Sequence, residues 1–387
     1  MRKLEILLGL LLAAPPAFAQ TTPEAAVAAA FRNHPLTKAA AFDVQAKKYG
    51  EKAAFNLSNP ELNAESPTGE FYTIGVTQSF EFPTVYARQK KVAQAETALA
   101  QAGQRVSENE LRYNVRSLYL ETQVAEYLAG LWAGRDSLYQ TMVATAIRQF
   151  TGGEIDFLQR TLAEQEAGGV RQERSAAEQN AAALRRQLAT YTGLDDVGAL
   201  LPLRADTVGL IALPDMAGNP SVGYEQQVAQ VAEQQVSLAK SRALPNFSLG
   251  YLNQSVRSTP VEYRFRASVG IPLWAGQYRA ATNAAQAESQ AALARAAAQS
   301  QSVALELVRA QTEAATKLGS VQYYQREALP RSRSLITTAT RMRAAGQVDY
   351  LTFLRTLDGA YAIQRAYADQ VQALNVAQLR LRYLSGQ

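Results

Sequence analysis

The stretch Glu262-Tyr263-Arg264-Phe265-Arg266-Ala267-Ser268-Val269-Gly270-Ile271-Pro272-Leu273 decides how this chain must fold. Tyr263, Phe265, Ala267, Val269, Ile271 and Leu273 fall on one side of it, and Glu262, Arg264, Arg266, Ser268 and Gly270 on the other. Period two with one apolar and one polar face predicts a half-buried strand. An earlier run has the same pattern. Tyr72, Ile74, Val76, Phe80 and Phe82 share one face, interrupted by Gln78, and Thr73, Gly75, Thr77, Ser79 and Glu81 share the other. Each run is about a dozen residues long, close to the ~9–11 of a tilted membrane strand. Shorter partners precede them at 61–66 and 247–255, with turn residues at Pro67-Thr68-Gly69 and Ser258-Thr259-Pro260. Two hairpins, 61–82 and 247–273, are therefore expected.

Four strands cannot close a barrel, since the smallest membrane barrels have about eight. A four-stranded sheet in lipid would also leave two open edges, which the hydrocarbon forbids. Either the sheet is soluble, or several copies of the chain pool their strands.

The segments outward from the hairpins read as helices too long for a globule. From Val85 to Phe150 there is no proline, and glycine occurs only at Gly103, Gly130 and Gly134. That run would extend about 100 Å as a helix. Val92, Leu99, Val106, Tyr113, Leu120 and Tyr127 recur every seven residues, the mark of coiled-coil packing. The second long run, Gly276 to Ala345, holds Leu293, Leu307, Ala314, Val321, Ala328, Leu335 and Met342 in the same spacing, with Ser300 filling the remaining step. Pro330 should kink it. Returning helices are expected at 155–191 and 348–384, and shorter ones before the hairpins at 36–59 and 221–244. The segment 192–219, with Pro202 and Pro214, reads as irregular.

These runs form two copies of one unit. Pro35 and Pro220 are 185 residues apart, as are Pro60 and Pro245; Phe82 and Trp274 are 192 apart, as are Tyr86 and Tyr278. Arg148 matches Arg341, and Gly153-Glu154-Ile155-Asp156-Phe157-Leu158 matches Gly346-Gln347-Val348-Asp349-Tyr350-Leu351, at an offset of 193. Three blocks in order imply a duplication, with one unit over 20–203 and the other over 204–387. In each, a helical hairpin turns at 151–156 or 344–349. Gly152-Gly153 and Gly346 can take the left-handed conformation that ends a helix. Glu154, Asp156 and Asp349 then lie in the first turn of the next helix, favourable to its dipole. Capping explains those residues fully. The recurrence of Arg148 and Arg341 points beyond it, to a contact surface.

Composition narrows the function. The 387 residues contain no cysteine and one histidine, His34, so thiol chemistry, disulfides and histidine-based zinc sites are excluded or rest on a single residue. No P-loop, Gly-x-Ser-x-Gly or His-Glu-x-x-His motif occurs, so no enzyme or cofactor is expected. Lys and Arg exceed Asp and Glu by 39 to 34, too scattered an excess for nucleic acid. At the N-terminus, Arg2 and Lys3, the apolar run Ile6–Ala14, and Ala17-Phe18-Ala19 form a signal peptide over 1–19, leaving Gln20 first. Nine to thirteen apolar residues fall short of the ~20 that span a bilayer. Any entry into a membrane must then be as a closed barrel.

Asn33-His34-Pro35-Leu36, Pro60-Glu61-Leu62, the hairpins, Leu329-Pro330, and Arg341 through Gly346 to Leu351 and Leu354 together resemble the TolC-type outer-membrane efflux proteins across nearly the whole chain. The stretch Gln78-Ser79-Phe80-Glu81-Phe82-Pro83-Thr84-Val85-Tyr86 resembles the heavy-metal cation branch. The resemblance implies a mainly α fold with a β-barrel portion: a homotrimer whose twelve pooled strands form a barrel in outer-membrane lipid, continued by a periplasmic helical tunnel. It implies a passive duct docking a periplasmic adaptor, or membrane fusion protein, and an inner-membrane pump of the RND type. The adaptor would meet the tip at Arg148, Gly152, Gly153, Arg341 and Gly346, and Glu81, Arg264 and Arg266 would face the barrel lumen.

The chain departs from that pattern in two places. It has no cysteine to carry a lipid, and Arg355 stands where relatives often have a tip aspartate. Asp156 and Asp349 become the nearer acidic candidates for the aperture. Two other readings compete: a duct for drugs or other small molecules, and a periplasmic coiled-coil rod or adaptor, which would not need the alternating hairpins.

Overall fold

The computed structural model describes residues 20–65, 73–206, 218–253 and 264–387. The expected signal peptide, the hairpin turns at 67–69 and 258–260, part of the irregular segment, and Tyr72, Glu262 and Tyr263 lie outside them. The described elements are α1 (Pro23–Asn33), α2 (Pro35–Ala53), β1 (Glu61–Glu65), β2 (Thr73–Phe80), α3 (Pro83–Thr151), α4 (Phe157–Thr192), α5 (Pro220–Ser241), β3 (Asn246–Asn253), β4 (Phe265–Gly270), α6 (Ala275–Tyr323), a π turn (Tyr324–Ala328), α7 (Leu329–Ala344) and α8 (Tyr350–Ser385).

Helix α1 was not expected, yet its signals are local. The Thr22 hydroxyl accepts a hydrogen bond from the Ala25 N–H at 3.1 Å, and Pro23 stands at the first helical position. His34 precedes Pro35 and is driven into extended backbone, which ends α1. Its ring packs 4.9 Å from Tyr191, so the single histidine is a packing residue. Helix α2 ends at Ala53 rather than Asn59. Beyond it the chain joins the sheet: the Ser58 hydroxyl donates to the Ser79 carbonyl at 2.8 Å, and the Gln78 amide donates to the Ser58 carbonyl at 2.7 Å. Pro245 likewise ends α5 at Ser241, short of Leu244.

The second long helix is not continuous. Pro330 has no N–H, and its ring crowds the carbonyl four residues back. The chain widens before it into the π turn, where the Leu329 N–H bonds the Tyr324 carbonyl. This inserts an extra residue per turn and rotates α7 relative to α6. Leu307, Ala314, Val321 and Ala328 are buried, whereas Leu335 and Met342, beyond the π turn, are exposed. Leu293 is exposed at the other end, since a spacing of seven drifts about 20° per heptad around a straight helix. In α3 the fully buried line is Leu111, Val115 and Tyr119, spaced by four, while Leu99, Val106 and Tyr113 of the heptad are only partly covered.

The chain divides into two compact units, neither of which is one half of the sequence. The first takes the described residues of 1–34, 112–209 and 313–379; the second takes those of 35–111, 210–312 and 380–387.

In the first unit, α4 returns along α3 through Arg174–Asp136 at 3.0 Å and Arg185–Glu126 at 3.6 Å. Helix α8 returns along α7, with the Ser332 hydroxyl donating to the Ala360 carbonyl at 2.8 Å. Its core joins all four helices: Tyr139, Ala167, Val170, Ala339, Phe353, Leu354 and Leu357. Helix α4 ends at Gly193, with φ +67, and a Cβ there would lie 2.6 Å from the Asn33 Cβ. The Asn33 amide donates to the Thr192 and Gly193 carbonyls, both at 3.1 Å, fixing that helix end. The irregular segment is partly ordered here: Thr21 forms a parallel bridge with Leu200, and the Tyr119 hydroxyl donates to the Thr21 carbonyl at 2.6 Å.

In the second unit, α2 runs back along α3, with Lys47 on Glu96 at 2.9 Å and Phe55 on Tyr86. Alanines 229, 232 and 292 bring α5 and α6 close. The Asn219 amide donates to the Leu384 carbonyl at 2.8 Å, ahead of Gly386 with φ +76. The strands form one antiparallel sheet in the order β1-β2-β3-β4.

Candidate functional site

Two regions carry chemistry, one in each unit. The first is the sheet. The pairings Leu62↔Val76, Val76↔Tyr251, Gln78↔Leu249, Phe80↔Phe247, Tyr251↔Phe265 and Phe247↔Val269 put the apolar residues of all four strands on one face, apart from Leu252, which lies opposite Gly75 on the other. That face is bare: Leu62, Ile74, Val76, Leu249, Phe265 and Val269 are all exposed, Leu62 to 78%. The opposite face is polar, carrying Asn63, Thr77, Ser248 and Arg266, with the Asn63 amide donating to the Thr77 hydroxyl at 3.0 Å. It is also tight. A Cβ on Gly75 would lie 2.6 Å from Leu252 and 2.9 Å from the Tyr251 carbonyl.

Arg266 falls on the polar side, opposite Gly250, while Arg264 stands one residue before β4 and donates to the Asn253 side chain at 3.3 Å. Glu81 does not lie in a strand. It stands one residue past β2, where its N–H is bound by the Tyr86 hydroxyl at 2.9 Å. The strands are shorter than expected, with β4 ending at Gly270, because Pro272 offers no N–H to a ladder.

The second region is the pair of helical turns, both in the first unit. Arg135 of α3 meets Asp358 of α8, and further back along α3 Tyr127 is near Tyr367. Helix α8 is therefore antiparallel to α3, α7 is parallel to it, and both turns leave the unit at the same end.

The turns are built alike. In the first, the Gly153 N–H bonds the Phe150 carbonyl and the Glu154 N–H reaches back to Gln149 at 2.8 Å. In the second, the Gly346 N–H bonds Arg343 and the Gln347 N–H reaches back to Met342 at 2.9 Å. Gly153 has φ +74 and Gly346 has φ +68, while Gly152 needs no positive φ and its counterpart is Ala345. Asp156 and Asp349 are helix caps rather than first-turn residues. Asp156 accepts from the Gln159 N–H at 2.7 Å, and Asp349 from the Thr352 N–H at 2.9 Å.

Arg148, Arg341 and Arg355 are exposed beside these turns. Phe157 and Leu158 are also exposed, to 66% and 64%, and Leu351 to 54%. Composition and periodicity gave no sign of this apolar surface, because Phe157 and Leu158 read equally well as the buried start of α4. Below the turns, Arg135 lies over Trp132, Tyr139 and Tyr361, each at 5.1 Å, and pairs with Asp358. Sequence reading missed this cluster too. Among the described residues, no group of three His, Asp or Glu side chains could hold a metal ion, and no helix is long and apolar enough to cross a membrane.

Two groups at the second turn titrate abnormally. Burial, reinforced by Tyr139 and Glu166, pushes the Tyr350 hydroxyl up to about 12, and it has no hydrogen-bond partner among the described residues. The Thr352 hydrogen bonds hold the Asp349 carboxyl below its ordinary value. A raised folded-state value stabilises fully below the unfolded value of about 10 and is lost as pH climbs toward 12. A lowered one stabilises above about 4 and is lost as pH falls through and below that value. Circular dichroism is therefore expected to be flat from about pH 5 to 9 and to lose helix on both sides. Tyr350→Phe should move the alkaline midpoint upward and leave the acid limb in place. An unmoved alkaline midpoint would show that the hydroxyl is not buried.

No protein-family model matches the chain, and no curated protein is significantly similar to it in sequence. Solved structures do share its fold. CusC, whose structures concern folding and transmembrane channel formation, superposes with a TM-score of 0.79 at 17% identity, over 94% of this chain and 91% of that one. The Campylobacter jejuni CmeC outer membrane channel gives 0.77 at 12% identity over 94% and 85%, and the outer membrane protein VceC of Vibrio cholerae gives 0.75 at 15% over 94% and 96%. The chain thus shares the fold of these outer-membrane proteins.

Proposed function

We propose that the chain is one subunit of an outer-membrane efflux duct. The observation that carries this reading is the sheet: four strands with two open edges and an apolar face with nothing over it among the described residues. Water disfavours that face, at about 25 cal/mol per Å², and lipid disfavours those edges. Both are relieved if three copies pool twelve strands into a closed barrel, apolar side outward and Arg264 and Arg266 inward, as the resemblance implies. The shared fold of the channel structures supports the same arrangement.

The sequence duplication is supported by the two matching glycine turns and by the two helix ends held by Asn33 and Asn219. The duct performs no chemistry of its own; an RND-type pump in the inner membrane would drive transport through a periplasmic adaptor. The adaptor would dock at Arg148, Gly152, Gly153, Arg341 and Gly346. Asp156 and Asp349 are engaged as caps, which weakens the case for an acidic aperture. The Gln78–Tyr86 stretch favours heavy-metal cations as cargo.

Fractionation tests the reading. The mature protein is expected in the outer membrane, to need detergent, and to run as a trimer by native mass. A monomer stable in buffer without detergent would refute it. A deletion strain with unchanged tolerance to zinc, cobalt, copper and silver would remove the metal cargo alone.

A further inference from the structure

All four helices that adjoin the sheet meet it at one end. The register sets the start of β1 beside the close of β2 (Glu61↔Thr77), the close of β2 beside the start of β3 (Phe80↔Phe247), and the start of β3 beside the close of β4 (Asn246↔Gly270). Helices α2 and α5 run into that end, and α3 and α6 leave from it. The stretches that make these crossings, 52–60, 82–95, 234–245 and 271–287, contain Lys52, Arg88, Lys90, Lys91, Lys240, Arg242 and Arg279 and not one carboxylate. All of these cations except Arg88 are exposed, and none forms an ion pair among the described residues. Farther from the sheet the pattern changes, and Lys47 is already paired with Glu96. Each cation stands within about 12 Å of its helix end, at 1.5 Å per residue. Between the cations and the strands, in sequence, come large apolar side chains with little cover: Phe55, Ile271, Leu273 and Trp274, the last exposed to 78%.

From the sheet toward the helices, then, an apolar face gives way to exposed aliphatic and aromatic side chains, and these to unpaired cations. A lipid leaflet has the same order: acyl chains, an interface that takes up tryptophan, and a headgroup layer about 5–8 Å deep that holds the phosphates. We infer that the four helix ends bind anionic phospholipid headgroups of the leaflet on the helical side of the sheet. The inference rests on the outer-membrane reading and adds a lipid partner to it. A zwitterionic headgroup carries its own ammonium beside its phosphate, whereas an anionic one leaves its charge for the protein. Arg242 and Arg279 can each hold a phosphate with two parallel bonds, and the lysines act as point charges. The lack of carboxylates counts as much as the cations do, because a carboxylate in that layer would both occupy a cation and repel the phosphates.

The test uses the full-length protein in detergent, with bound lipid read by native mass spectrometry. Phosphatidylglycerol and phosphatidylcholine of identical acyl chains are offered in competition, and phosphatidylglycerol is expected to be retained at least about tenfold more strongly. Each cation near an anionic lipid surface is worth about a fivefold change. Lys90→Gln, Lys91→Gln, Arg242→Gln and Arg279→Gln together should therefore erase the preference. Arg242→Lys with Arg279→Lys should keep most of it, and unchanged thermal melts of both variants would show that neither fails by unfolding. Inorganic phosphate at the concentration of the lipid should displace none of it. Equal retention of the two lipids by the wild type overturns the inference, as does a preference that survives the quadruple variant. Displacement by inorganic phosphate also overturns it, since the site would then take a free anion. So does a change in the quadruple variant's anion–cation selectivity across planar bilayers with its lipid preference untouched, which would place the cations in the pore. A detergent-dependent oligomer without lipid preference removes the inference and leaves the duct reading standing. A monomer stable in plain buffer removes both.

Discussion

Val76→Lys combined with Val269→Lys is expected to remove the protein from the outer membrane. Both side chains lie on the apolar face of the sheet, one on β2 and one on β4, and both are exposed in the single chain. In the proposed pooled barrel that face would meet lipid. A lysine there costs about 2–4 kcal/mol at the bilayer midplane and about 0–1 near an interface. Each of three subunits would carry two. Assembled barrel should fall below detection in outer-membrane fractions, with the protein recovered as degraded or soluble material. Thr77→Lys, one residue along β2 on the polar face, is the matched control and should still assemble, since its side chain points toward water. If the double variant inserts as well as the control does, the faces are assigned backwards or the sheet never meets lipid.

Arg135→Ala should cost the first unit about 3 kcal/mol of stability. The guanidinium lies against Trp132, Tyr139 and Tyr361 and pairs with Asp358. Each partly desolvated cation–π contact contributes about 0.5–2 kcal/mol, and the alanine leaves a gap beside the Tyr139 and Leu357 core. Because the arginine ties α3 to α8, its loss should also loosen the second turn. Proteolysis near Gly346 should accelerate in step with the fall in unfolding midpoint. Arg135→Lys keeps the charge but cannot stack a planar group on three rings, and should recover less than half of the loss. Asp358 is half exposed, so Asp358→Asn should cost no more than about 1 kcal/mol. If Arg135→Ala lies within about 0.5 kcal/mol of wild type, the range of ordinary surface changes, the cluster is not a structural tie.

Much of this was legible in the residue order because it is decided locally. The alternation in 73–80 and 265–270 fixed which side chains share a face, and the glycines at 153 and 346 fixed the two turns, since only a residue without Cβ takes a positive φ at low cost. The acidic residues after them were readable as caps for the same reason. Helix α1 was also readable, from Thr22-Pro23-Glu24, and was missed because the first matched pair of the duplication, Pro35 and Pro220, lies beyond it.

What the order could not supply was anything that depends on which surfaces meet. The pairing of β2 with β3 makes two hairpins into one sheet. The π turn before Pro330 rotates Leu335 and Met342 out of the buried line that their spacing predicts. Arg135 finds two of its three rings on its own helix and the third, Tyr361, on α8, more than two hundred residues along the chain. A periodicity states which side chains lie together on one element. Only the packing of one element against another decides which of those faces is covered, and here the uncovered ones, the apolar side of the sheet and the arginine-rimmed turns, are where function is proposed to reside.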